Sequence, residues 1–352
     1  MNRPIVRLYG LVALLFALLI AFTSRWTVFE ASSLRENKLN ARALLEQQRI
    51  DRGPILAADG TVLARSVPRA GGVFGRTYPT GAQFAHAVGY YYNTGLGSTG
   101  LEQSQSSALN GRTGTNLQSV LDQLQGKQPR GDKLITTLQP RAQRVANAAL
   151  AGHRGAIVAL DPRTGAVTAM ASAPGFNPNS LRSQSAYKRI LTDTSGKPLV
   201  NRATQFGYAP GSTFKVVTAT AAIDTGAFTP SSVIDGRNET PISGVPLRND
   251  NDESFPQLTL TQALVHSVNT AWAQVAVRLG KPTLARYMSR FGFDRKPRLD
   301  YPAEEMSSSG EYAAKGLVRP TSRLVDVGRM GIGQDKLKVT ALQMAEVAAA
   351  VA

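Results

Sequence analysis

The stretch Pro210-Gly211-Ser212-Thr213-Phe214-Lys215 constrains this chain more than any other. It leads from a Pro-Gly turn into residues 216–224, which are mostly apolar or small, and Gly226 closes the run. Such a run is predicted to be a buried helix entered through a turn. Positions i and i+3 share a helix face, so Lys215 reaches Ser212. Phe214 and Val216 flank the lysine and argue for its burial. A helix N-terminus presents unpaired N–H groups and the positive end of the dipole, which stabilise an alkoxide or an oxyanion formed there. The plain alternative is a helix cap followed by a solvated lysine. A second Ser-x-x-Lys, Ser185-Ala186-Tyr187-Lys188, lies in a polar stretch with no such turn and no apolar helix behind it. We read that copy as chance.

A second element bears on the choice. Thr259 to His266 and Thr270 to Leu279 read as helices, and Ser267-Val268-Asn269 lies at their junction. A hydroxyl and an amide two residues apart in such a loop can both project into a cleft. The hydroxyl can relay a proton, and the amide can grip a peptide carbonyl or N–H. The alternative is ordinary capping by Ser267 or Asn269.

Several classes of chemistry drop out. With no cysteine, the chain has no disulfide, no thiolate metal site and no cysteine nucleophile. His86, His153 and His266 are scattered without metal-ligand spacing, and we expect each to be structural. We expect no cofactor and no metal. The net charge of +16 comes from Lys and Arg spread along the chain without a basic run, which argues against a nucleic-acid partner. Attraction to an anionic envelope or lipid surface fits that charge, and a solvated basic surface also accounts for it.

Leu8 to Ser24 is uncharged and strongly apolar, flanked by Arg3, Arg7 and Arg25. Its length is at the lower edge of the ~17–25 residues that span a bilayer. No clean Ala-x-Ala site follows Phe22, so we read a retained anchor rather than a cleaved signal peptide. The basic N-terminus places residues 1–7 in the cytoplasm and the rest outside, in a single-pass cell-membrane arrangement.

Beyond the anchor, Trp26 to about Gln48 reads as a helical stalk. Arg52 to about Asp132 is rich in Gly and turns and reads as a small mixed or β-rich pedestal domain, so stalk and pedestal take residues 25–133. A new pattern follows over 134–352. Pro140 suits a first helical turn ahead of Ala142 to Leu150. Gly155 to Asp161 and Ala166 to Ala173 read as two strands joined by the turn Pro162 to Gly165. Ser180 to Ala209 reads as a long loop crossing near the site. Helices beside an antiparallel hairpin give an α+β class. The 42% hydrophobic content is enough for a sizeable core, and the length fits two domains and an anchor.

Ser-x-x-Lys is a recognised signature of penicillin-binding proteins and class A β-lactamases. The whole chain resembles the class B penicillin-binding proteins, the membrane-anchored peptidoglycan D,D-transpeptidases, and within them the actinobacterial A-type branch. Arg52-Gly53-Pro54-Ile55-Leu56 with Asp59-Gly60 is similar to the family's Arg-Gly-x-Ile box, and Thr99-Gly100-Leu101-Glu102 to its Gly-Leu-Glu box. Gly155 to Asn179 resembles the strand–turn–strand that opens the transpeptidase domain. Asn201-Arg202-Ala203, Gly331-Ile332-Gly333-Gln334 and Thr340 to Ala345 are also family-like. The family's third motif, Lys-Thr-Gly or Lys-Ser-Gly, does not follow Ser267; Arg112-Thr113-Gly114 and Arg163-Thr164-Gly165 come too early. We therefore expect residues 134–352 to be an incomplete transpeptidase domain of a longer protein, with impaired activity in this piece.

The resemblance implies that Ser212 forms an acyl-enzyme with a stem peptide ending in D-Ala-D-Ala, and with β-lactams. Lys215 is the nearest candidate base; burial and a second cation would lower its pKa from about 10.4. Ser267 is then the proton relay and Asn269 the substrate-orienting amide. Stem peptides, β-lactams, the membrane and a glycosyltransferase of the elongation or division machinery are the implied partners. A D,D-carboxypeptidase, a β-lactam sensor and a non-catalytic scaffold remain as alternatives.

Overall fold

The computed structural model describes residues 3–25, 48–92, 97–111 and 130–352. Helix α1, Arg3–Ser24, contains an 18-residue span, Arg7–Ser24, with mean hydropathy 1.9 and no residue buried against protein. It is long and apolar enough to cross a bilayer. The expected stalk lies outside the described residues except for Gln48.

The first compact unit is built on strands β1 (Ile55–Leu56), β2 (Val62–Arg69) and β3 (Val73–Thr77), joined antiparallel. The turn between β2 and β3 uses Gly71 and Gly72, with φ of 81° and 70°, where a side chain would be strained. Helix α2, Gly100–Ser104, follows. Strand β4, Leu134–Ile135, then pairs in parallel with β1, giving the order β3-β2-β1-β4. These two residues, expected to open the transpeptidase unit, pair with the N-terminal sheet: the Leu134 N–H donates to the Pro54 carbonyl at 2.9 Å and the Thr136 N–H to the Leu56 carbonyl at 2.9 Å. Ile55, Leu63, Tyr78, Phe84 and Leu109 fill the core.

Beneath this sheet lies a buried ion cluster. Glu102 accepts from Arg52 Nε at 2.7 Å and from Arg76 Nε at 2.6 Å, with all three side chains almost fully buried. Burial pushes the Glu102 carboxyl up, but the two guanidiniums outweigh it and leave it below the usual range. The Arg-Gly-x-Ile and Gly-Leu-Glu boxes thus meet through Arg52 and Glu102.

Helix α3, Pro140–Ala149, begins with its proline in the first turn, as expected. It packs Ala146 and Leu150 onto Ala169 and Ala171 of a hairpin formed by β5 (Gly155–Leu160) and β6 (Val167–Ala173). The 180–209 region is not one long loop. It contains helix α4, Gln184–Thr192, whose cap Ser183 accepts from the Ala186 N–H. Tyr187 and Ile190, three apart on one face, pack on the core and explain why it folds.

Four further helices contribute to a second lobe: α5 (Lys215–Asp224), α6 (Leu260–Val265), α7 (Asn269–Arg290) and α8 (Ala341–Val351). Thr259 and Gln262 form a capping box at the start of α6. Gly280, with φ of 75°, interrupts α7 at the expected end near Leu279, and a second segment then buries Leu284, Tyr287 and Met288. Phe214, Val217, Ala221, Trp272, Val275 and Met330 belong to the lobe's core.

A short loop ties the two units together. Gly100 N donates to Glu305 Oε1 at 3.0 Å, Ser104 Oγ to the Asp300 carbonyl at 3.0 Å, and the buried Tyr301 hydroxyl to the His86 carbonyl at 2.6 Å. Asn201 Nδ2 donates to the same tyrosine oxygen at 3.1 Å.

Candidate active site

Ser212 lies in a single 3₁₀ turn, Gly211–Phe214, that runs directly into α5. Gly211 enters it with φ of 56°. The serine is exposed, Phe214 is fully buried, and the Lys215 side chain turns inward with 1% of its residue surface accessible. In the opening turn the Ser212 N–H has no intrahelical acceptor, which leaves it available to an oxyanion.

Lys215 Nζ contacts four oxygens: Ser212 Oγ at 3.0 Å, Ser267 Oγ at 3.0 Å, the Ser267 carbonyl at 2.6 Å and Asn269 Oδ1 at 2.7 Å. An ammonium has three protons. A neutral amine suits this shell as well, donating to the carbonyl and the amide oxygen and accepting a proton from a serine hydroxyl. Burial lowers the Lys215 pKa to about 8, while the nearby Asp250 carboxylate acts in the opposite direction. Burial depresses this pKa without the second cation anticipated from the sequence.

The four expected residues therefore converge on one nitrogen, and the solvated-lysine alternative fails. Ser267 occupies the position after the α6 C-cap in a Schellman motif. Its N–H donates to the Leu264 carbonyl and the Val268 N–H to the Ala263 carbonyl. Its φ is 53°, in the region that favours glycine. This backbone aims both its carbonyl and its hydroxyl at Lys215.

Asn269 differs from the free substrate grip expected of it. Its Oδ1 is taken by Lys215, and its Nδ2 donates to the Arg248 carbonyl at 3.1 Å. One lone pair and one N–H remain for a ligand. The Arg248 loop escaped sequence reasoning. Asn249, buried, accepts from Thr270 N and Oγ1 at 3.0 and 3.1 Å and donates to the Gly236 and Glu253 carbonyls. It fixes the loop to the start of α7. The polar run Arg248-Asn249-Asp250-Asn251-Asp252 was the available signal, since Asn and Asp bond to local backbone and accept left-handed geometry.

Behind the serine, Gly211 N donates to the Gly333 carbonyl at 3.0 Å, and Thr218 Oγ1 to the Gly331 carbonyl. A Cβ on Gly333 would lie 1.9 Å from the Gly211 oxygen, so only glycine allows this contact. The second Ser-x-x-Lys lies on α4, in a different cluster, and makes no contact with this site. His86 is buried against the Pro198 carbonyl, with burial lowering its pKa to about 4, and His266 stacks on Phe255.

Comparison with known proteins gives a consistent pattern. The family described as penicillin binding protein transpeptidase domain matches residues 155–352, and that described as penicillin binding protein A dimerisation domain matches 52–134. The peptidoglycan D,D-transpeptidase PbpA of Mycolicibacterium smegmatis is 34% identical over 369 residues, covering 100% of this chain and 73% of that protein. The peptidoglycan D,D-transpeptidase MrdA of Escherichia coli is 31% identical over 307 residues, covering 77% and 48%. The ceftriaxone acyl-enzyme complex of penicillin-binding protein A from Mycobacterium tuberculosis superposes with a TM-score of 0.76 at 34% identity, covering 88% of this chain and 70% of that one.

Proposed function

Because the chain belongs to the penicillin-binding protein transpeptidase family, we propose that Ser212 is the nucleophile of its peptidoglycan D,D-transpeptidase activity, with Lys215 as base, Ser267 as proton relay and Asn269 as positioning amide. The observation that carries this reading is the placement of Lys215 Nζ 3.0 Å from both serine hydroxyls. Neutral Lys215 takes the Ser212 proton as Oγ attacks the penultimate D-Ala carbonyl. The oxyanion forms beside the Ser212 N–H. The C–N bond then breaks, and the departing D-Ala amine takes a proton by way of Ser267. An amine from a second stem peptide attacks the resulting ester, loses a proton and releases Ser212, leaving a cross-link. A β-lactam opens on the same oxygen but keeps its amine tethered.

The apolar helix α1 supports membrane attachment. Arg3 and Arg7 ahead of it favour a cytoplasmic tail with the catalytic unit outside. We divide the chain into tail, anchor, N-terminal unit and transpeptidase unit, with the third ending after β4. A glycosyltransferase partner rests on family resemblance.

Labelled penicillin tests the assignment. It should attach at Ser212, and Ser212→Ala should abolish labelling while leaving the circular dichroism spectrum intact. Label that persists in the variant, or maps to Ser185, removes Ser212 from the role. Partition of the acyl-enzyme between water and an added amine separates a carboxypeptidase from a transpeptidase.

A further inference from the structure

The N-terminal unit holds a cavity of about 300 Å³ that the transpeptidase chemistry does not use. Arg52, Arg69, Arg76 and Arg182 line it together with Tyr91 and Tyr92, and no carboxylate does among the described lining residues. The buried Glu102 beside it already accepts from Arg52, Arg76 and the Tyr78 hydroxyl. Each nitrogen of Arg52 has an acceptor: Nη1 donates to Asn110 Oδ1 at 2.7 Å, Nη2 to the Glu102 carbonyl, and the guanidinium lies over the Tyr91 ring.

Arg76 is not fully committed. Its Nε and Nη1 have acceptors, but Nη2 has none, although the side chain is 2% exposed. A buried cationic donor without a protein acceptor is costly, and an anionic oxygen would satisfy it. Above it, the exposed Arg69 lies across the strand, its Nε 2.2 Å from where a Gly75 Cβ would sit, and the exposed Arg182 donates to the Arg76 carbonyl. Four arginines thus line the cavity, and only Arg52 and Arg76 are paired with the buried Glu102 carboxylate.

We propose that this cavity binds a phosphate-type oxyanion, held by Arg76 at its floor and by Arg69 and Arg182 at its rim. Planar guanidiniums match phosphate oxygens in pairs, and the excess positive charge suits a doubly charged group. The same chemistry is offered by soluble phosphates and by phosphate headgroups of lipids.

The test uses the full chain in phosphatidylcholine nanodiscs, titrated calorimetrically with inorganic phosphate and pyrophosphate at fixed ionic strength. Saturable binding is expected. The rim double variant Arg69→Gln/Arg182→Gln should weaken it roughly ten- to hundredfold, while its melting midpoint in phosphate-free buffer stays at the wild-type value. Arg76→Gln should remove binding; if that variant does not fold, the rim variant decides alone. Heat no larger than that of matched chloride, or affinity unchanged in the rim variant, overturns the site. In phosphatidylglycerol nanodiscs, loss of the phosphate titration identifies a lipid headgroup as the ligand, and an unchanged titration identifies a soluble phosphate.

Discussion

The Ser267 carbonyl oxygen lies 2.6 Å from Lys215 Nζ, closer than the hydroxyl of Ser212 at 3.0 Å. The lysine is thus held most tightly by backbone of the α6–α7 junction, and the proposed base is already in place beside Ser212. The left-handed conformation of Ser267 makes this possible.

Ser267→Gly separates backbone from hydroxyl. Glycine favours the φ of 53° and retains the carbonyl contact, so stability should hold or rise by up to about 1 kcal/mol. Penicillin acylation should fall by roughly 10²–10⁴, the usual worth of a positioned proton-transfer group. Thermal melts and labelling rates check both; unchanged acylation would remove Ser267 from the relay.

The Lys215 pKa of about 8 sets a pH profile. With the neutral amine as the proposed base, acylation should rise about tenfold per unit as pH increases towards 8, then level off. Asp250 opposes the depression, so Asp250→Asn should move the midpoint to lower pH. Stopped-flow acylation with a chromogenic cephalosporin measures both; a flat profile between pH 6 and 8 would contradict the assignment.

Gly333→Ala should impair catalysis without touching a catalytic group. Its Cβ would fall 1.9 Å from the Gly211 oxygen, on backbone that cannot swing aside, and its φ of 76° adds strain. We expect a loss of about 1–3 kcal/mol in stability and on the order of 10² in acylation through displacement of Ser212. Wild-type kinetics would show that the turn yields.

Glu311 is fully buried, and its carboxylate has no short hydrogen bond, with only the Lys336 backbone N–H and ammonium easing its charge. Burial, reinforced by Asp335, raises its pKa to about 8 from 4.5. Between these values the folded chain holds a proton that the unfolded chain has lost. Stability therefore falls as pH rises through that window. Glu311→Gln should flatten this dependence and stabilise the protein at pH 8 by a few kcal/mol, on the order of the linkage. Denaturant melts across pH 5–8 test it; parallel curves for both proteins would refute it.

The contact between Ser212 and Lys215 was legible because local helix geometry alone sets it, and the start of α6 because Thr259 and Gln262 cap locally. Long-range bonds were not. β4 is two residues whose strand character comes from β1. Helix α4 rests on Tyr187 and Ile190 finding a core made by distant segments. The tie from Asn269 to Arg248 spans 21 residues of sequence, and no spacing rule links them.

Tyr301 gives the molecule a mechanical property. Its ring is buried where Asn201 and the His86 carbonyl meet, and its neighbours Asp300 and Glu305 fasten to α2. Three attachments in a few residues resist twisting as well as pulling, as a bolted plate does and a hinge does not. Torque applied to the N-terminal sheet is passed to Asn201, whose neighbour Ala203 accepts from the Leu342 N–H at the start of α8. The core shared by Tyr78 and Phe84 with Met170, Phe176 and Ala203 adds to this fastening, so the frame around Ser212 turns with the sheet.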